Sequence, residues 1–107
     1  MPELPPAIAR YFATEAGTSA GVLAACFAPD AVVRDEAREH RGLTAITAWR
    51  QATQRATPFT TQVLSWHERE GRILVATEIA GQFPGSPIAL RQEFTLEQGR
   101  IAALAIG

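Results

Sequence analysis

The side chains best suited to move a proton or hold a developing charge are few in this 107-residue chain: two Asp, one Tyr, two His and one Cys. Asp35 stands out because it follows the run Ala31-Val32-Val33-Arg34, whose strand alternation sets Val33 and Asp35 on one face. If Val33 faces a core, so does Asp35, and a carboxylate deprived of water becomes a stronger base, suited to proton removal near neutral pH. The same position equally suits a turn cap whose oxygens face water. Tyr11, the only tyrosine, lies on or beside a helical apolar stripe. From there its hydroxyl could donate to a substrate oxygen that gains charge during reaction, or it could be a core aromatic with the hydroxyl satisfied locally.

The remaining candidates carry less. Asp30 follows Pro29 and reads as a surface turn residue. Ser65 and His67 share a strand face, but no third member or nucleophile elbow accompanies them, so a hydrolytic triad is poorly supported. His40 sits in a charged segment with no second His or Cys at ligand spacing, which argues against a metal site. Trp49 and Trp66 read as core or interface aromatics. The chain has no lysine, which excludes Schiff-base chemistry and a phosphate-loop lysine; no cofactor is expected.

The elements that must position these groups follow from periodicity. Pro5 and Pro6 suit the first turn of a helix, and Leu4, Ile8, Tyr11, Phe12 and Glu15 recur at 3,4 spacing up to Gly17. Ser19 is a candidate N-cap for a second short helix whose apolar face, Val22, Leu23, Cys26 and Phe27, stops before Pro29. A hairpin with an exposed charged tip is predicted between Ala31 and Gly42, and a third helix around Ile46, Trp49 and Thr53 ends at Pro58. From Phe59 three turn signals, Glu70-Gly71, the Phe83–Pro87 loop and Gln98-Gly99, divide the rest into four strands of an antiparallel meander. Ile73-Leu74-Val75-Ala76 and the run from Ile101 to Ile106 are apolar at consecutive positions, as in a sheet covered on both faces. Helices cover the concave side, so a homodimer through the outer sheet face is expected.

Bulk properties narrow the function classes. The length is that of one ordinary domain, taken as residues 1–107, able to bury a core without staples. With 10 basic and 11 acidic residues, net −1, the chain has no electrostatic footprint for nucleic acid or an anionic membrane. No apolar stretch reaches the ~18 residues needed to cross a bilayer. The single Cys26 cannot form an internal disulfide, and MPELPPAIAR lacks a signal-peptide pattern, so a cytoplasmic location is expected.

The run RYFATEAGTSAGVLAACFAPDAVVRD, followed by EHRGLTAITAW and closed by RQEFTLEQGRIAALAIG, resembles the SnoaL-like and ketosteroid isomerase-like branch of the nuclear transport factor 2-like superfamily over nearly the whole chain. The resemblance implies an α+β, cone-shaped (cystatin-like) fold, with three N-terminal helices on a curved, mixed but mainly antiparallel sheet enclosing an apolar pocket. It places Asp35 at the isomerases' general base and Tyr11 at their oxyanion-hole tyrosine. Gln92 falls where those enzymes carry a second, protonated Asp. Three readings follow. A proton-transfer enzyme, isomerase or cyclase, would act on a small apolar carbonyl compound with Asp35, Tyr11 and Gln92. A non-catalytic ligand-binding or dimerisation module would use the same fold. An epoxide hydrolase would need an Asp-Arg-Asp arrangement, which Asp30 and Asp35 alone supply poorly.

Overall fold

The computed structural model describes residues 3–13, 20–56 and 59–107, with the side chains of residues 20 and 54–56 left aside. Helix α1 spans Pro6–Phe12 and buries Ala7, Ile8 and Tyr11, the face given by its 3,4 spacing. Pro5 and Pro6 begin it without costing a hydrogen bond, since first-turn N–H groups have no partner within the helix. Helix α2 spans Ala20–Ala24 and α3 spans Leu43–Ala56. The expected positions of Glu15, Gly17 and the Ser19 cap lie outside the described residues.

The strands are β1 (Phe27–Asp35), β2 (Arg38–Arg41), β3 (Phe59–Arg69), β4 (Arg72–Gly81), β5 (Ile88–Glu97) and β6 (Arg100–Ile106). They form one sheet in the order β2-β1-β6-β5-β4-β3. The last four make the predicted antiparallel meander, and β1 joins it parallel to β6, so the sheet is mixed. The three helices pack on β1, β2 and β6 from one side. No helix among the described residues is long and apolar enough to cross a membrane.

One element differs from the sequence expectation. The second helix ends at Ala24, and Phe27 opens β1 instead of closing the helical face; Val22 is exposed while Leu23, Cys26 and Phe27 are buried. The cause is tertiary pairing: Phe27 aligns with Ile101, and the Ile101 amide donates to the Cys26 carbonyl at 2.8 Å. Pro29 is tolerated inside the strand because the β1–β6 register is interrupted between Phe27 and Val32, where a ladder hydrogen bond is not required.

The turns explain the strand order and one local weakness. Glu70-Gly71 and Gln98-Gly99 place a Gly at the second of two left-handed positions, as a two-residue hairpin of this hand demands. The β1–β2 turn makes the same geometry with Glu36 and Ala37, at φ of 52° and 62°. A Cβ at such an angle costs roughly 1–2 kcal/mol, against about 0.4–1 kcal/mol of unfolded-chain entropy that a glycine adds. Ala37→Gly is therefore expected to stabilise the protein by about 0.5–1 kcal/mol, read as a higher urea midpoint at unchanged slope. An unchanged or lower midpoint would show that the turn carries no such strain.

The core lies between the helices and the inner sheet face. Ile8, Leu23, Phe27, Ile46, Phe94 and Ile101 are fully enclosed. Tyr11 is the hub of its aromatic part, meeting Phe12, Phe27 and Phe94 edge-on at centroid distances of 5.3, 5.6 and 5.8 Å. The outer face of β4 and β6 carries Leu74, Ala76, Ala103 and Ala105, none of them fully buried in the single chain.

Candidate functional site

Asp35 stands at the last position of β1, one residue before the hairpin turn, and is partly buried. Strand alternation puts it on the face of Val33, which is completely enclosed, so its carboxylate turns toward the helical side. Helix α3 meets it there. The Trp49 indole N–H donates to Asp35 Oδ2 at 3.1 Å, which ties up one carboxylate oxygen and orients the other. Across the hairpin, Arg38 pairs with Asp35 and His40 with Val33, so both point to the same side. The His40 ring lies 6.0 Å from that of Trp49.

Tyr11 comes from α1 and is 2% exposed. The Arg50 guanidinium, next along α3 from Trp49, sits 4.7 Å above the Tyr11 ring, and its Nη1 donates to Tyr11 Oη at 3.5 Å. An arginine has no acceptor, so the phenol's own proton points away from it. Consecutive residues of one helix thus hold the two candidates: Trp49 holds Asp35 and Arg50 holds Tyr11.

Both pairs line one cavity of about 510 Å³, a size typical of small-molecule sites. Its wall is otherwise mostly apolar, with Phe12, Phe59, Ile79, Phe83, Leu90 and Ile106. Gln92 lies in the same wall and is 4% exposed. Thr77 fixes its amide: the Thr77 hydroxyl donates to the Leu90 carbonyl at 2.8 Å, so its oxygen can only accept from Gln92 Nε2, at 3.4 Å. Gln92 Oε1, buried, finds no hydrogen-bond partner among the described residues.

Burial pushes the Tyr11 phenol up to about 12 from its ordinary 10.0, with the Arg50 charge opposing and Asp35 and Cys26 adding to the rise. The hydroxyl therefore stays protonated, and a hydrogen-bond donor, throughout the physiological range. A stability signature follows. Below pH 10 both folded and unfolded phenols are protonated, and the group gives no pH dependence. Between pH 10 and 12 only the unfolded chain releases this proton, so up to about 3 kcal/mol of stability is lost as pH rises. Urea melts across that window should show this loss in the native protein and not in Tyr11→Phe. Equal slopes for the two proteins would mean that the phenol is not buried in this way.

The other sequence candidates fall elsewhere. Asp30 is exposed, in β1 and not in a turn. Ser65 and His67 are exposed and pair with Ala76 and Leu74 on the outer sheet face, away from the cavity. Cys26 is buried, and burial pushes its thiol above the ordinary range, which suits a packing role. Asp35 takes part in no ion pair among the described residues, so the Asp-Arg-Asp arrangement does not form there. Trp49 and Arg50 are the site residues that sequence reasoning missed. The available signal was Arg50 itself, a charge inside the inward stripe Ile46, Trp49, Thr53.

A family model described as a SnoaL-like domain matches residues 8–104. Among solved structures, a candidate polyketide cyclase from Sinorhizobium meliloti is 38% identical, with a TM-score of 0.89 over 97% of this chain and 95% of that one. A protein with a ketosteroid isomerase-like fold from Catenulispora acidiphila, bound to trimethylamine, is 18% identical with a TM-score of 0.78 over 98% and 86%. A protein with a cystatin-like fold from Xanthomonas campestris is 14% identical with a TM-score of 0.75 over 94% and 86%. No curated protein matches the chain.

Proposed function

Given that the chain belongs to the SnoaL-like domain family, in the nuclear transport factor 2-like superfamily, we propose that its cavity binds a small apolar carbonyl compound and moves a proton on it. The observation that carries this reading is the pairing of Asp35, with one carboxylate oxygen held by Trp49, and Tyr11, a phenol that burial keeps protonated through the physiological range, on one largely apolar cavity. Asp35 removes a proton from the carbon beside the carbonyl. The C–H electron pair becomes a C=C bond, the carbonyl π pair moves to oxygen, and Tyr11 donates a hydrogen bond to that oxygen. Where a C=C adjoins that carbon, the protonated Asp35 returns the proton at the far end of the dienolate, giving an isomerase. Otherwise the enolate carbon attacks a second carbonyl, whose π pair moves to its oxygen and takes the proton back from Asp35, giving a cyclase. Gln92 lines the same wall and has a second amide N–H beyond the one given to Thr77.

The test is solvent exchange at an activated carbon. With the two-ring ketone 2-tetralone in D2O, followed by proton NMR, the protein should speed α-deuteration well above a buffer control matched in carboxylate. Saturable binding of the ketone without any exchange would point instead to a non-catalytic ligand-binding module.

The outer sheet face is proposed to meet a second copy through Leu74, Ala76, Ala103 and Ala105 about a two-fold axis. Sedimentation at micromolar concentration should give a dimer mass; a clean monomer would contradict it.

A further inference from the structure

We infer that the Gln92 carbonyl oxygen receives a hydrogen-bond donor of the ligand, so that the cavity selects carbonyl compounds that also carry a hydroxyl or an N–H on their apolar body. This deepens the proposal above and rests on the cavity being the ligand site, but it does not depend on Asp35 acting as a base.

Gln92 stands on the inner face of β5, paired with Val75 of β4 and Ile106 of β6. It is 4% exposed and lines the cavity. A chain of three groups fixes its amide. The Thr77 hydroxyl has one proton and gives it to the Leu90 carbonyl at 2.8 Å, so the oxygen of that hydroxyl can only accept, and Gln92 Nε2 donates to it at 3.4 Å. Turning the amide over would set Oε1 against the same oxygen, two acceptors with no proton between them. Oε1 is therefore the atom left over, a buried acceptor with no hydrogen-bond partner among the described residues.

An acceptor left unmet in apolar surroundings is costly, and a donor that reaches it recovers that cost. The cavity is the side from which a ligand donor can come. The terminal torsion of a glutamine is soft, so a slight turn of the amide plane is enough to present Oε1 there. Other polar groups line the same cavity: Asp35, Glu36, Arg38 and His40 at the β1–β2 hairpin, and Arg50 on α3. The arginines can only donate to a ligand hydroxyl, whereas His40 and the two carboxylates can accept from it. Asp35 and His40 are partly buried and Glu36 is exposed, so water competes for these acceptors. The enclosed Gln92 oxygen is where one ligand donor makes the largest difference.

Calorimetry with 2-tetralones carrying one substituent at each free position of the aromatic ring tests this. The substituent is hydroxyl, amino or, as a small group without a donor, fluoro. At one position at least, the hydroxyl or the amino compound should bind the native protein roughly 5- to 50-fold tighter than its fluoro counterpart. A gain for hydroxyl alone assigns the site to hydroxy-ketones, and a gain for amino alone to amino-ketones. Gln92→Met should bring the pair to parity while the fluoro compound binds as before. The inference is overturned if the fluoro compound binds as tightly at every position, or if the preference survives in a cooperatively folded Gln92→Met, which would assign it to the hairpin. Should that variant not fold, a crystal structure of the native protein with the preferred compound decides: the donor lies about 2.8 Å from Gln92 Oε1, or, against the inference, on Asp35, Glu36 or His40. Loss of 2-tetralone exchange removes proton transfer and leaves the donor preference standing; exchange without that preference does the reverse. No binding by any of these ketones overturns both.

Discussion

Asp35→Asn is expected to lower α-proton exchange in 2-tetralone by roughly 10³-fold, the middle of the range for loss of a positioned base. Asparagine keeps the shape of the side chain, and its carbonyl oxygen can still accept the Trp49 indole N–H that now holds Asp35 at 3.1 Å. What disappears is the capacity to take up a proton. Ketone binding should change little, because the neutral ketone and the side chain's shape are the same in both proteins. This combination of lost turnover and preserved ketone binding is not what a merely structural Asp35 would give. A variant that unfolds, or binds nothing, would show instead that Asp35 serves the hairpin end.

Tyr11→Phe should cost roughly 10²-fold in the same exchange, about 3 kcal/mol of barrier, the effect of removing one preorganised donor from a forming oxyanion. The ring contacts with Phe12, Phe27 and Phe94 survive the change, so the fold has reason to persist. Arg50 loses its hydroxyl acceptor, and the stability cost at neutral pH should stay near 1 kcal/mol. The rate loss should be independent of pH from 6 to 9, since burial keeps the phenol protonated far above that range. A Tyr11→Phe protein with native exchange would restrict Tyr11 to packing.

The features legible in the sequence were those set by local period. Alternation along Ala31–Asp35 put Asp35 on the face of buried Val33, and 3,4 spacing put Tyr11 inward on α1. The pairs Glu70-Gly71 and Gln98-Gly99 marked their hairpins because only certain residues fit left-handed positions cheaply. Long-range pairing was not legible. Phe27 continues the apolar face of a helix in sequence, yet its alignment with Ile101 makes it a strand residue. Gln92 reads as a ready donor until cross-strand placement commits its amide to Thr77. Trp49 reads as a core aromatic because hydropathy reports its rings and not its single N–H, and it is this N–H that reaches Asp35, 14 positions away. Arg50 was the clearest missed signal, since a charge on a buried stripe asks for a reason.

The most direct measurement is a crystal structure of the protein with 2-tetralone bound. The ketone oxygen should lie about 3 Å from Tyr11 Oη on the Arg50 side, with the α-carbon facing Asp35 Oδ1, while Trp49 keeps Oδ2. A ketone seated the other way round, with its carbonyl at the hairpin and no carbon within reach of Asp35, would contradict proton transfer in this cavity.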